Sequence, residues 1–186
     1  MNSVLKKTSL KFGLIGFMIF VISYFAIWQI DLSLFLNPLV TYPISIAVFI
    51  LAVYAQKQAK IELGGYISFG SALLYFVVAV AIAFLGYVVA ALLIFNIIDP
   101  QAKEQLLELT IQASIEMSNN MLGWLGMEEA AGQVSEEQIR SSMALSPTPM
   151  GIASIVIGYI SNVAFYTVIG LISSLIIKKD QPYEFE

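Results

Sequence analysis

Long uncharged stretches alternate with short polar ones along this chain. The first runs from Phe12 to Ile30, about 19 residues, close to the roughly 20 that a helix needs to cross hydrocarbon. It follows a polar head, "MNSVLKKTSLK", with Lys6, Lys7 and Lys11. A basic head before an apolar run also describes a secretory signal. This run exceeds a typical h-region, however, and "FAIWQID" offers no small-x-small cleavage site, so the pattern predicts an uncleaved span. The second stretch, Pro38 to Ala55, is the shortest at about 18 residues. Asn37 is placed to cap it, Pro38 takes the first helical position, and Pro43 falls near the first turns, where a missing N–H costs least.

The third stretch is the strongest: Ala72 to Phe95, about 24 residues or about 36 Å of helix. The fourth, Gly151 to Ile177, is about 27 residues and can span with some tilt. The expected fold is therefore an all-α membrane protein with four transmembrane helices in one membrane domain. Its spans fall at about 12–30, 38–55, 68–98 and 151–177.

Residues 99–150 have another character and hold most of the carboxylates: Asp99, Glu104, Glu108, Glu116, Glu128, Glu129, Glu136 and Glu137. Asp99 followed by Pro100 reads as an N-cap with proline at the first helical position. At 100° per residue, Gln101, Glu104, Gln105, Glu108, Gln112 and Glu116 share one face. Ala102, Leu106, Leu109, Ala113 and Met117 share the opposite one, which predicts an amphipathic helix. Gly123, Gly126 and Gly132 are expected to interrupt it. A second short helix is predicted at "SEEQ", with Ser135 and Gln138 in capping-box spacing, and "SPTPMG" ends it.

Composition sharpens the membrane reading. Hydrophobic residues make up 59% of the 186 and charged residues only 12%, too few charges to dress the surface of a soluble fold. The chain has no His and no Cys. That excludes disulfides, thiol nucleophiles, imidazole or thiolate zinc sites and every triad with an imidazole base. No catalytic, cofactor-binding or metal-binding residue is expected, and neither is a nucleic-acid partner.

Lysine placement predicts the sidedness. Lys6, Lys7 and Lys11, then Lys57 and Lys60, then Lys178 and Lys179 fall on one side of a four-span topology; Lys103 and Arg140 on the other sit among carboxylates. By the positive-inside rule both termini and the Gly64 loop belong in the cytoplasm, with 99–150 as an extracytoplasmic helical cap.

"GGYISFG", Gly64 to Gly70, raises a chemical question. Gly65 and Gly70 have the G-x-x-x-x-G spacing of a phosphate-binding loop, but Ser71 and Ala72 follow where that motif needs Lys and then Ser or Thr. No strand precedes it, so no nucleotide is expected. Two readings stay open: a turn with Gly64 or Gly65 at positive φ and Ser68 capping the next helix, or an anion or lipid-headgroup site using helix N–H groups with Lys57 and Lys60. The turn is the preferred one, and Tyr66 and Phe69 suit a membrane interface.

"GGYISFG" at the start of a span, "NIIDP" (Asn96 to Pro100) at its end, "LGMEE" (Leu125 to Glu129) and a last span ending in "LISSLIIKK" together resemble a bacterial membrane-protein family catalogued as domain of unknown function 4199. The resemblance covers the chain from the first span to Lys179. It implies a four-span protein of the bacterial inner membrane and lends no activity. The matched motif positions are Gly64, Gly65, Ser68, Phe69, Gly70, Asp99 and Pro100. A turn into this helix the family is associated with a polar or basic residue, where this chain has Leu73 and Leu74; that weakens an anion-binding role.

No Asp, Glu, Lys or Arg lies well inside a predicted span, which argues against proton relays and ion-coupled transport. Asn162, midway along the fourth span, is expected to hydrogen-bond between helices, with a polar pathway as the sharper alternative. Ala72, Ala79, Ala83, Gly86 and Ala90 form a small-residue stripe broken at Phe76, and Ser154 with Gly158 makes a small-xxx-small pair. Both mark close packing, within the bundle or between copies. Asn96 and Asp99 are better read as caps than as metal ligands. The outer helix lacks the Lys and Arg usual on the polar face of interfacial helices, so packing on protein is expected for it, with Trp124 touching the interface.

Three roles follow. The leading one is non-enzymatic: a structural or accessory subunit in the lipid bilayer, with a homo-oligomer or another membrane protein as partner. The alternative is an oligomeric carrier or pore for a small neutral solute, lined by Ser161, Asn162 and Thr167. An intramembrane enzyme ranks last.

Overall fold

A backbone in hydrocarbon must satisfy its own N–H and C=O groups, and the α-helix does so within one segment. The computed structural model describes residues 3–127, 135–143 and 148–179. It places every apolar stretch in such a helix. The elements are α1 (Ser3–Ile30), a 3-10 turn (Leu32–Leu36), α2 (Pro38–Glu62), α3 (Phe69–Leu93) with a π-helical turn (Ile94–Ile98), α4 (Ala102–Trp124), α5 (Glu136–Met143) and α6 (Ile152–Ile177). Among the described residues, four segments are long and apolar enough to cross a membrane: Lys7–Ile30, Pro38–Glu62, Phe69–Ile98 and Ile152–Ile177.

Two helices overrun the expected spans. Helix α1 begins at Ser3 rather than Phe12, taking in the basic head, and α2 continues past Ala55 to Glu62. Charge limits how far a helix enters lipid, but it does not end the helix. Lys, Gln and Glu are good helix formers, and nothing before Gly64 breaks the backbone pattern. The expected caps are present: the Asn37 side chain accepts from the Leu39 N–H at 2.9 Å, with Pro38 at the first position. Asp31 caps the 3-10 turn by accepting from the Ser33 N–H at 2.8 Å, and this bond holds its carboxyl below the usual carboxylate range. That cap is complete above the ordinary carboxylate pKa and is lost on acidification through the lowered value.

Helix α3 is the hub. It is the most apolar and most buried span, and α1, α2 and α6 all pack against it. Its small-residue stripe faces inward: Ala72, Ala79, Ala83, Gly86 and Ala90 are all buried, as is Phe76 between them. The other three helices turn large aliphatic side chains outward, Met18, Ile22, Ile46, Ile160, Val168 and Ile172 among them. An apolar exterior of this extent fits lipid and not water.

The closest approach is between α1 and α3. A Cβ built on Gly86 would lie 2.3 Å from the Phe17 carbonyl oxygen, and one on Gly16 would lie 2.6 Å from the Ala83 Cβ. Gly13 meets Ile82 in the same way at 2.7 Å. The backbones touch because these positions carry nothing in between, which is how helices gain dispersion energy in lipid. On the other side of α3, Gly170 of α6 sits under the Phe76 ring and Gly158 under the Tyr87 hydroxyl. The stripe and Gly158 thus pack inside the bundle.

Gly86→Ala should push α1 off α3 and destabilise the fold by about 1–3 kcal/mol, as overpacking does. Gly70→Ala, on the open first turn of α3 with no heavy atom within 4 Å of the added carbon, should leave stability unchanged or slightly raised. Reversible unfolding in mixed detergent micelles, followed by circular dichroism, compares the two directly.

Candidate functional site

The family-like motifs converge on two polar junctions, one at each end of the bundle. The lysine-rich end is built on the Gly64 turn. Gly64 and Gly65 both have positive φ, +78° and +90°. The Gly65 N–H donates to the Lys60 carbonyl at 2.8 Å and the Gly64 N–H to that of Ile61 at 3.1 Å. This is a Schellman cap on α2, and glycine fits it because it has no Cβ to clash at positive φ. Ser68 then caps α3, its oxygen accepting from the Ser71 N–H at 3.4 Å. Between the two caps, Ile67 forms a pair of backbone hydrogen bonds with Lys179, each 2.9 Å, so the turn is stitched to the end of α6.

The lysines expected near an anion are engaged with the protein. Lys60 Nζ donates to the Ile177 carbonyl at 2.7 Å, Lys179 lies 5.0 Å from the Tyr66 ring centre and Lys57 lies 5.8 Å from that of Tyr54. The basic head joins this end through α1: Thr8 donates to Glu62 at 3.5 Å and buried Ser9 to the Tyr75 carbonyl at 3.1 Å.

Just inside this end lies a buried knot that the sequence reading missed. Gln56 is fully buried. Its Nε2 donates to the Ala72 carbonyl at 3.1 Å and to Ser174 Oγ at 2.8 Å, and its Oε1 accepts from Ser173 Oγ at 3.0 Å. The Ser174 hydroxyl in turn donates to the Gly170 carbonyl at 2.6 Å. The two serines of "LISSLIIKK" therefore meet α2 and α3 at one side chain. A signal was present: Ala52, Ala55 and Ala59 place a small face on α2 that contains position 56 and runs beyond Ala55.

Asn162 does not serve as the expected cross-helix link. Its Nδ2 donates to the Gly158 carbonyl of its own helix at 2.8 Å. Ser154 likewise bonds locally, reaching the Thr148 and Gly151 carbonyls, both at 2.8 Å. An i−4 carbonyl is always in reach of a short polar side chain on a helix, so it competes well with a distant partner. Besides the serines at Gln56, inter-helix bonds from α6 come from tyrosines, Tyr159 to the Ala81 carbonyl at 3.3 Å and Tyr166 to that of Ser45 at 3.0 Å.

The acidic end is built on "NIIDP". The α3 backbone widens by one residue there, with the Asp99 N–H bonding the Ile94 carbonyl at 2.8 Å. The carboxylate of Asp99 accepts from the Trp28 indole N–H at 3.1 Å and from the Ala102 N–H at 3.2 Å. Asp99 thus caps the turn into α4 as expected and ties it to α1, although regular helix starts at Ala102 rather than at Pro100. Asn96 accepts from Lys103 Nζ at 3.2 Å and donates to the Met150 carbonyl at 3.3 Å. Met150 has φ +55°, an unfavourable conformation for a side-chain-bearing residue, and it is packed against the apolar cluster below the junction. One motif therefore connects α1, α3, α4 and the entry to α6. Its two polar residues have separate partners rather than a common ligand position.

Helix α4 lies across this end. Ala102 and Leu106 are buried with Ile94, Phe95 and Ile155. Farther along, Leu109, Gln112, Ala113 and Glu116 face Ser33, Leu36 and Asn37 across a shallow groove of about 310 Å³. The helix passes through Gly123, which was expected to break it, and stops at Gly126 (φ +74°); Glu128, Glu129 and Gly132 lie outside the described residues. Helix α5 has the expected capping box, Ser135 and Gln138 exchanging bonds of 3.2 Å. Arg140 clamps α5 to α4 by bridging Glu108 and Glu136, and the two carboxylates raise its pKa. Glu104, Gln105 and Glu108 are exposed outside this groove.

A family model described as "Protein of unknown function (DUF4199)" matches residues 7–179. No curated protein and no solved structure matches the chain.

If the Gln56 knot joins helices as its geometry indicates, a double-mutant cycle of Gln56→Leu with Ser174→Ala should return a coupling of about 0.6–1.7 kcal/mol. Asn162→Leu, which removes a bond within one helix, should change unfolding free energy far less. Equal losses for Asn162→Leu and Gln56→Leu would contradict this assignment.

Proposed function

Because the chain belongs to the family of proteins of unknown function DUF4199, which brings no activity with it, we propose a role from architecture. The protein is a non-enzymatic structural or accessory subunit of a bacterial inner-membrane assembly, and it presents a rigid acidic face outside the membrane to a neighbouring protein. The observation that carries this reading is the mounting of α4. The NIIDP junction fixes one end of the helix, the groove against the 3-10 turn lies along its middle, and Glu104, Gln105 and Glu108 are exposed. A preorganised face loses little entropy when a partner docks.

The orientation rests on charge. Lys57, Lys60, Lys178 and Lys179 belong to the end where the Gly64 turn meets the end of α6, and the carboxylate-rich segment belongs to the other. The positive-inside rule then puts the termini in the cytoplasm. The solute-carrier alternative lacks comparable support: Asn162 and Thr167 use their side chains on their own helix backbone and Ser161 is on the exposed side of α6.

Two measurements test the proposal. Reporter fusions at Gly132 and after Lys179 should report opposite sides of the membrane, and the same side for both would end the topology. Photo-crosslinking in cells from Glu104 or Gln105 should trap a discrete membrane-protein adduct. A monomer that captures no neighbour from either position would remove the subunit role.

A further inference from the structure

The apolar side of α4 does not end where the bundle ends. From Ala102 to Glu116 the helix stays in contact with the end of the bundle, about 21 Å at 1.5 Å per residue, so it lies across the spans rather than standing on them. The face carrying Ala102 and Leu106 is turned toward the span interiors, since both pack among Ile94, Phe95 and Ile155. Met117, Met121 and Trp124 continue that same face at helical spacing. They extend up to about 12 Å along the helix axis beyond Glu116. No described residue covers them: Met117 is 70% exposed, Met121 57% and Trp124 86%.

We propose that this overhanging half of α4 rests on the bilayer surface beside the bundle, with Met117, Met121 and Trp124 inserted at the boundary between headgroups and acyl chains. The occupant follows from position. The overhang continues an existing contact at the level where all four spans end, and beyond the bundle at that level the neighbour is lipid. A tryptophan at this depth suits the interface, where the ring is apolar and its N–H can find water or a headgroup. From Glu104 to Met127 the sequence has no Lys or Arg, so attraction to anionic headgroups is absent. The contact is made by apolar area on zwitterionic lipid, and it differs in this from the basic interfacial helix. This inference requires only that four helices span; it is independent of which side the cap occupies and of any partner on the acidic face.

The test uses the full chain in nanodiscs sized for a single copy, comparing the wild type with Trp124→Phe so that the difference isolates Trp124 from Trp28. With brominated phosphatidylcholine in the disc, Trp124 should lose most of its emission, and aqueous acrylamide should quench it weakly. Strong acrylamide quenching without lipid quenching would place Trp124 in water and overturn the proposal. Protection from both quenchers would mean that protein covers the face, and would overturn it equally.

Discussion

Helices in lipid gain nothing from expelling water, so what holds two of them together acts only at contact distance. The approach of α1 to α3 supplies that contact here. Gly13, Gly16 and Gly86 leave room for one backbone to lie against the other, and a single methyl at Gly86 would clash with the Phe17 backbone. The remaining architecture is arranged around this pair. Helix α3 is the most buried span, and α2 and α6 pack on what α1 leaves open.

Smooth packing of this kind fixes distance better than it fixes register. The polar junctions at the two ends supply the register. At the lysine-rich end the Gln56 knot and the Ile67–Lys179 pairing set the height of α6 against the α2–α3 hairpin. At the acidic end Asp99 ties α1 to the corner between α3 and α4, and Asn96 ties that corner to the turn before α6. Each junction uses groups that would be costly to leave unpaired near hydrocarbon. That gives a structural reason for polar residues at these points in a chain with so few of them.

The architecture was readable from the sequence because lipid imposes a length and a charge pattern on every span. Asn37, Ser68, Ser135 and the two glycines at 64 and 65 also did what local chemistry requires. What stayed hidden was of two kinds. Gln56 was lost because the second span was closed at Ala55, one residue before it, although the small face of α2 runs through that position. Trp28 meeting Asp99 and Ser174 meeting Gln56 were out of reach for another reason: partners 71 and 118 residues apart leave no trace in local spacing. The π-turn after Leu93 had no compositional mark at all. Asn162 attracted attention by its depth, yet a carbonyl one turn back satisfied its amide.

The stitch between Ile67 and Lys179 also has a bearing on how the molecule is made. Of the groups that bond Gln56, the α2–α3 hairpin itself supplies only the Ala72 carbonyl. The two serine partners arrive on the last span, after the whole intervening cap has been translated. Both the satisfaction of the Gln56 amide and the backbone stitch therefore need the last span in place, so the hairpin and α6 close on one glutamine and one strand-like pair of hydrogen bonds.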